Sequence, residues 1–131
     1  MTIKEALGTY LQGYAALTAL VGTRVYPGAF PQGTAMPAVT FSQISNPTIP
    51  HTGGSDGALQ RPRFQITCWG DNYDDPDIVA QVVRTALTDY SGTMGGVGGV
   101  DVARVLYDNE TDIYNQGLQR DGVALDFIIL I

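Results

Sequence analysis

One stretch, Arg61 to Leu87 (RPRFQITCWGDNYDDPDIVAQVVRTAL), limits the fold of this chain more than any other. An apolar, β-prone run gives way to an acidic turn and then to an amphipathic helical pattern. From Arg61 to Gly70 the residues alternate. Phe64, Ile66 and Cys68 fall on one side and Arg63, Gln65, Thr67 and Trp69 on the other, as the two-residue repeat of a strand requires. Asp74, Asp75, Pro76 and Asp77 then supply the chemistry of a helix start. They offer a carboxylate cap, a proline at the first helical position, where its missing N–H costs nothing, and negative charge at the positive end of the helix dipole. The helix predicted over Pro76 to Tyr90 carries Val79, Val82, Val83, Ala86, Leu87 and Tyr90 on one broad apolar face, suited to packing on a sheet, and should end near Ser91-Gly92.

The remaining chain supplies such a sheet. Thr2 and Glu5 have capping-box spacing, and Ile3, Leu7, Leu11 and Tyr14, with Tyr10 beside them, form the stripe of a first helix. Leu17 and Leu20 extend the pattern by a turn or two. Gly13 is a point where it divides, and Gly22 suits a C-terminal cap. Thr23 to Pro37 holds three prolines and two glycines, which leave room for a short strand at Arg24 to Tyr26 within a structured loop. Ala38 to Ser45 alternates, Val39 and Phe41 against Thr40 and Ser42, as a half-buried strand with one wet face. Asn46 to Ala58 reads as a polar loop too long for a tight hairpin turn. Without a crossover helix, the strands on either side of it should pair antiparallel. Gly92 to Gly99 reads as a glycine-rich link. Val100 to Tyr114 and Leu118 to Ile131 then form a second long hairpin about Asn115-Gln116-Gly117. The resulting fold class is α+β: an antiparallel-dominated sheet of two long hairpins with helices mainly on one face, in a single domain over residues 1–131.

Composition narrows the function. A chain of 131 residues is one domain's worth. A formal charge of −6 with seven Lys and Arg argues against binding driven by DNA phosphates. The single cysteine, Cys68, excludes an internal disulfide framework and Cys-rich metal sites. MTIKEALGTYLQG lacks the basic leader and apolar core of a secretory signal, and no run approaches the ~20 apolar residues of a membrane helix.

Candidate chemistry is sparse. Gly53-Gly54-Ser55-Asp56-Gly57 matches G-x-S-x-G, but a nucleophile elbow needs a strand before it and a helix after it, and its histidine follows the serine in the chain. Here a proline-rich loop precedes, a strand follows, and His51 lies upstream. A solvated loop residue is the better reading of His51, which has no second histidine to share a metal. Asp71, Asp74, Asp75 and Asp77 do not fit a calcium loop, since Tyr73 and Val82 stand where oxygen ligands belong. Asn109-Glu110-Thr111 matches a glycosylation sequon by chance. The glycines from Gly95 to Gly99 lack the Lys-Ser/Thr of a phosphate cradle. Trp69 and Tyr73 are large amphipathic aromatics that serve equally as core margin or as interface anchors. No catalytic, metal or cofactor site emerges.

Taken together, "ALTALVGTRVYPGAFPQGTAMPAVTFSQIS", "RPRFQITCWG", "VAQVVRTALTDYSGTMGG" and "NETDIYNQGLQRDGVALDFIIL", in this order over nearly the whole chain, resemble the tail-completion or tail-terminator (tail-to-head joining) proteins of long-tailed bacteriophages. The resemblance implies a structural virion protein with no catalytic residues and no cofactor. It would form a homo-oligomeric ring, commonly a hexamer, that caps the tail tube and joins it to the head connector. Genomic DNA would pass through the lumen without specific binding. Its expected partners are itself, the tail tube protein and the head connector or completion protein, with no membrane; it would be assembled in the host cytoplasm and reside at the head-tail interface of the virion. A head-completion or connector protein is the alternative, followed by a small monomeric ligand-binding or hydrolytic domain with a concave pocket.

A ring needs heterologous contacts between different patches of neighbouring subunits. The candidate interface residues are Pro47, Ile49, His51 and Asp56 in the long loop, Arg61, Arg63, Arg104 and Arg120 as charged partners, and Trp69. Exposed strand edges are candidates as well.

Overall fold

The computed structural model describes residues 2–46, 48–51, 54–117 and 119–131, with the backbone alone for 48–51 and 54–60. Helix α1 (Ile3–Gly13) opens on Thr2, whose hydroxyl accepts from the Glu5 N–H at 3.2 Å. As the sequence suggests, the helical pattern divides after Gly13: α2 (Ala15–Val21) follows, closed by Gly22 with φ 60°. Ala6, Leu7, Leu11, Leu17 and Val21 are fully buried.

Strand β1 (Val25–Pro27) lies one residue later than expected and pairs parallel to β2 (Ala38–Ser45). β2 pairs antiparallel with β5 (Arg63–Gly70), which pairs antiparallel with β9 (Arg120–Leu130). β9 in turn pairs antiparallel with β8 (Arg104–Asn115), giving the five-stranded order β1-β2-β5-β9-β8. The α+β architecture and both long hairpins are as expected.

The alternation in β5 decides the layers. Phe64, Ile66 and Cys68 sit across from Phe127, Leu125 and Val123 of β9, and all six belong to the main core. The three helices contribute to that same core, which places them on this face of the sheet. Helix α3 (Asp75–Leu87) buries Pro76, Val79, Ala80, Val83, Ala86 and Leu87 there. It stops at Thr88, earlier than the apolar pattern suggests. Its cap also differs from expectation. Asp74 makes no side-chain cap bond, and Pro76 is the second helical residue. The Asn72 side-chain oxygen accepts instead from the N–H groups of Asp74 and Asp75, both at 3.0 Å. Asn72 thus performs the capping that the carboxylates were expected to perform.

The opposite face is only partly wet. Residues 28–37 cross it between β1 and β2, Phe30 meets Trp69 edge-on at 5.7 Å, and the Trp69 indole N–H donates to Thr40 Oγ1 at 3.1 Å. Thr40 and Thr67 are buried, so the expected wet face of β2 begins only at Ser42. Two further expectations are corrected. The stretch expected to be a long loop at 46–58 contains β3 (Thr48–His51) and β4 (Gly54–Gln60), an antiparallel ribbon separate from the main sheet. The glycine-rich link contains β6 (Gly92–Met94), paired with β7 (Val100–Val102). Met94 of β6 is fully buried, which turns the link into part of the core.

Gly70 joins β5 to the start of α3 at close range: a Cβ there would meet Pro76 Cδ at 2.7 Å and Asp75 Cβ at 2.8 Å. Neither atom belongs to a flexible chain end. Gly70→Ala is therefore expected to lower unfolding free energy by about 1–3 kcal/mol through overpacking. Gly13 has no atom within 4 Å of its hypothetical Cβ, and Gly13→Ala should stabilise by roughly 0.5–1 kcal/mol through backbone entropy. Urea denaturation of the two variants checks both signs.

Candidate assembly surfaces

The sheet has two free edges of different kinds. On the first, the Val39 N–H donates to the Arg24 carbonyl and the Gly28 N–H to the Phe41 carbonyl. Odd-numbered residues of β2 therefore turn their main-chain groups away from β5. β1 ends at Pro27, so the next outward residue, Gln43, has no strand beside it among the described residues. Gly28, at φ 79°, turns the chain off the edge there. The pairing of β2 with β5 then shifts between Gln43 and Ser45, and Ile44 within the shift is exposed.

The second edge is β8. Near its start the Asp89 N–H donates to the Val105 carbonyl and the Val105 N–H donates to the Tyr90 carbonyl, both at 3.0 Å, so the link after α3 covers the edge. Between Tyr107 and Asn109 a bulge shifts the register with β9. Because the Ile129 N–H donates to Pro62 across the sheet, odd residues of β9 face β5 and even ones face β8. Past the bulge, Asn109, Thr111 and Ile113 pair with even residues of β9, which leaves Glu110, Asp112 and Tyr114 facing outward with no further strand among the described residues.

The same shift redirects the side chains. Glu110 and Asp112 lie across from Leu125 and Val123, on the helix face. There Glu110 pairs with Arg84 of α3, and Asp112 accepts from the Tyr73 hydroxyl at 2.6 Å. This bond to the carboxylate, ahead of the repulsion from nearby acids, pushes the Tyr73 phenol up. The bulged residue, Asp108, pairs with Arg63 from β5.

Three of the four arginines expected to be interface partners are engaged within the subunit. Arg63 holds Asp108, Arg104 holds Asp89 at 2.7 Å, and Arg120 lies 3.5 Å from Asp71. Arg61 is exposed and has no ion pair among the described residues. Trp69 is 9% exposed and uses its indole N–H inside the subunit. Ile49 and His51 lie in β3 and Asp56 in β4, with Ile49 opposite Leu59 and His51 opposite Gly54. Pro47 lies outside the described residues. The backbone over Gly54–Gly57 runs as strand and does not form the strand-to-helix turn of a nucleophile elbow. What the sequence reading passed over is the acidic row on β8, visible only once the bulge assigns each residue a side.

The model of the family "Tail completion protein gp17" matches residues 5–131. The chain belongs to that family. It is a structural virion protein of the tail-completion kind. Among solved structures, a chain in the virion of a native gene transfer agent (GTA) particle has a similar fold, with a TM-score of 0.76 at 20% identity, covering 92% of this chain and 87% of that one. No curated protein matches. The family fits a subunit whose polar groups hold its own elements in place.

Cys68 is fully buried in the core of this tail completion protein, and burial pushes its thiol up. A folded pKa above the unfolded one contributes stability that is complete below the unfolded value, about 8.5, and is lost as pH rises beyond it. Above about pH 8.5 this residue is expected to add a fall of up to ~1.4 kcal/mol per pH unit to the unfolding free energy. Denaturation series at pH 7 to 10 should show that component in the native chain and lose it in Cys68→Ala.

Proposed function

We propose that the chain assembles as a ring, a hexamer, that caps the tail tube and joins it to the head connector while the genome passes through its lumen. The family match over residues 5–131 carries this reading. Charge supports it: the chain has net charge −6, and Arg63, Arg84, Arg104 and Arg120 are each neutralised by an acid of the same subunit. A lumen lined by such a surface repels phosphate and lets DNA slide.

The β3–β4 ribbon supports it as well. A two-stranded ribbon outside the main sheet is marginal in water by itself and gains stability against a partner surface. On this reading the ribbon, with Pro47, Ile49, His51 and Asp56 in its stretch and Arg61 after it, meets a neighbouring subunit, the tail tube or the connector. Arg63, Arg104, Arg120 and Trp69 act one step back, by holding strands in register. Assembly takes place in the host cytoplasm, and the product resides at the head-tail interface.

Light scattering at high protein concentration should give the mass of a ring, and electron microscopy its outline. A persistent monomer by both measurements would overturn the ring. Deletion of residues 46–58 should abolish tail joining in a complementation assay, and intact joining would remove the ribbon from the interface. Pull-down against tail tube and head connector separately tells a tail terminator from a head-completion protein.

A further inference from the structure

Resting on the ring reading, we propose that neighbouring subunits join edge to edge, the end of β8 of one copy adding as a strand beside Gln43 of β2 in the next. Three reversals separate β2 from β8 across the sheet (β2 to β5, β5 to β9, β9 to β8), so the two free edges run in opposite senses. Copies set side by side with the same end up therefore pair antiparallel, the more stable ladder. The contact joins two different patches, as a closing ring requires.

The register follows from what already occupies the edge. β1 fills the lane beside β2 as far as Phe41, and Gly28 bonds the Phe41 carbonyl. An incoming antiparallel strand has to end opposite Gln43. β8 ends at Asn115 in a turn, and its last outward-facing residue is Tyr114. Tyr114 opposite Gln43 lets the turn after Asn115 abut the end of β1. The Tyr114 side chain is 55% exposed in the single subunit and, beyond the bulge, lies on the helix face of the sheet. On that face beside Gln43 is a cavity of about 370 Å³ lined by Lys4, Pro27, Gly28, Phe41 and Phe64. An aromatic ring with a polar tip suits a pocket with an apolar floor and a lysine at its rim.

Charge selects this pairing over its rival. Two β8 edges placed against each other would bring Glu110 and Asp112 against their own copies, which like-charge repulsion disfavours. The β2 edge offers Ser42, Gln43 and Ser45 with Lys4 nearby, and no acid lines that cavity. Exposed apolar residues fall at the joint itself, Ile44 on one edge and Tyr114 on the other.

The test is cross-linking of the full-length double variant Gln43→Cys/Asp112→Cys with a short bis-maleimide that spans diagonal strand positions about 7–8 Å apart. Cys68 is fully buried and stays unlabelled in the folded protein. The expected result is a ladder of covalent oligomers rising to the ring. Neither single variant should give one, and Tyr114→Ala should weaken assembly roughly tenfold or more while circular dichroism stays unchanged. Assembly by light scattering without a ladder, or with Tyr114→Ala at full strength, overturns the edge-to-edge joint and leaves the ring standing. Dimers from Asp112→Cys alone replace it with a β8-to-β8 contact. A chain that stays monomeric and forms no ladder overturns both.

Discussion

Strand β5 is bonded on both sides, to β2 and β9, and buried on both faces, and most of the molecule is arranged by what its two faces demand. Phe64, Ile66 and Cys68 are fully buried toward the helices, while Thr67 and Trp69 are buried toward the crossing loop. That second burial is unusual for an antiparallel sheet, which commonly leaves one face to water. It works here because the polar groups on that side are satisfied locally, with Trp69 donating to Thr40. A buried indole N–H without an acceptor would cost on the order of 1–3 kcal/mol. The loop over residues 28–37 thus acts as a lid on the sheet, meeting Trp69 through Phe30 and held at its ends by the Gly28 N–H on the Phe41 carbonyl and the Arg24 guanidinium on the Pro37 carbonyl.

The packing of α3 follows from β5 through a single turn. Gly70 lets the chain reverse so closely that Pro76 touches the end of the strand, and Asn72 satisfies the first helical N–H groups. At the far end of α3, Tyr10 of α1 donates to the Ala86 carbonyl at 2.6 Å and meets the Tyr90 ring at 4.7 Å, tilted by 57°. Burial, ahead of the neighbouring tyrosines, pushes the Tyr10 phenol up, which keeps it a donor across the physiological range. The two helices are therefore latched by one aromatic group, and α1 carries Lys4 at the rim of the cavity beside Gln43.

Much of this was legible in the residues themselves because it rests on periodicity. The alternation of β5 and β9, the division of the first helix at Gly13 and the antiparallel pairing across residues 46–60 all follow from local patterns that tertiary structure reinforces. What was not legible rests on pairings that periodicity does not encode. The short strand β1 lies within one residue of its expected place, but nothing in its proline- and glycine-crowded stretch says that it pairs parallel to β2. β6 and β7 are equally short, and they are held by the burial of Met94 and Val102 and by the Thr93 hydroxyl donating to Asp101 across the pair. Charged residues were harder still. Arg63 and Arg104 read in the sequence as partners for a neighbouring subunit because their acids, Asp108 and Asp89, are brought to them only by strand pairing and a helix end.

The bulge at Asp108 shows how one extra residue serves both stability and assembly. Without it, β8 would present Asn109, Thr111 and Ile113 to the outer edge, and its acids would point away from the helices. With it, Glu110 reaches Arg84 and Asp112 reaches Tyr73, so the edge strand is tied to α3 and to the turn before it by side chains alone. The Glu110–Arg84 ion pair, partly exposed, contributes at most about 1 kcal/mol. The larger effect of the two contacts is to fix which side every β8 residue faces. A long edge strand invites indiscriminate pairing, and natural sheets counter it with bulges and charge. Here the bulge and the acids together oppose self-pairing of β8 and leave its last turn-proximal residues, with Tyr114 outward, to a complementary edge. A device that protects the lone subunit from aggregation is in this way also the one that selects its neighbour.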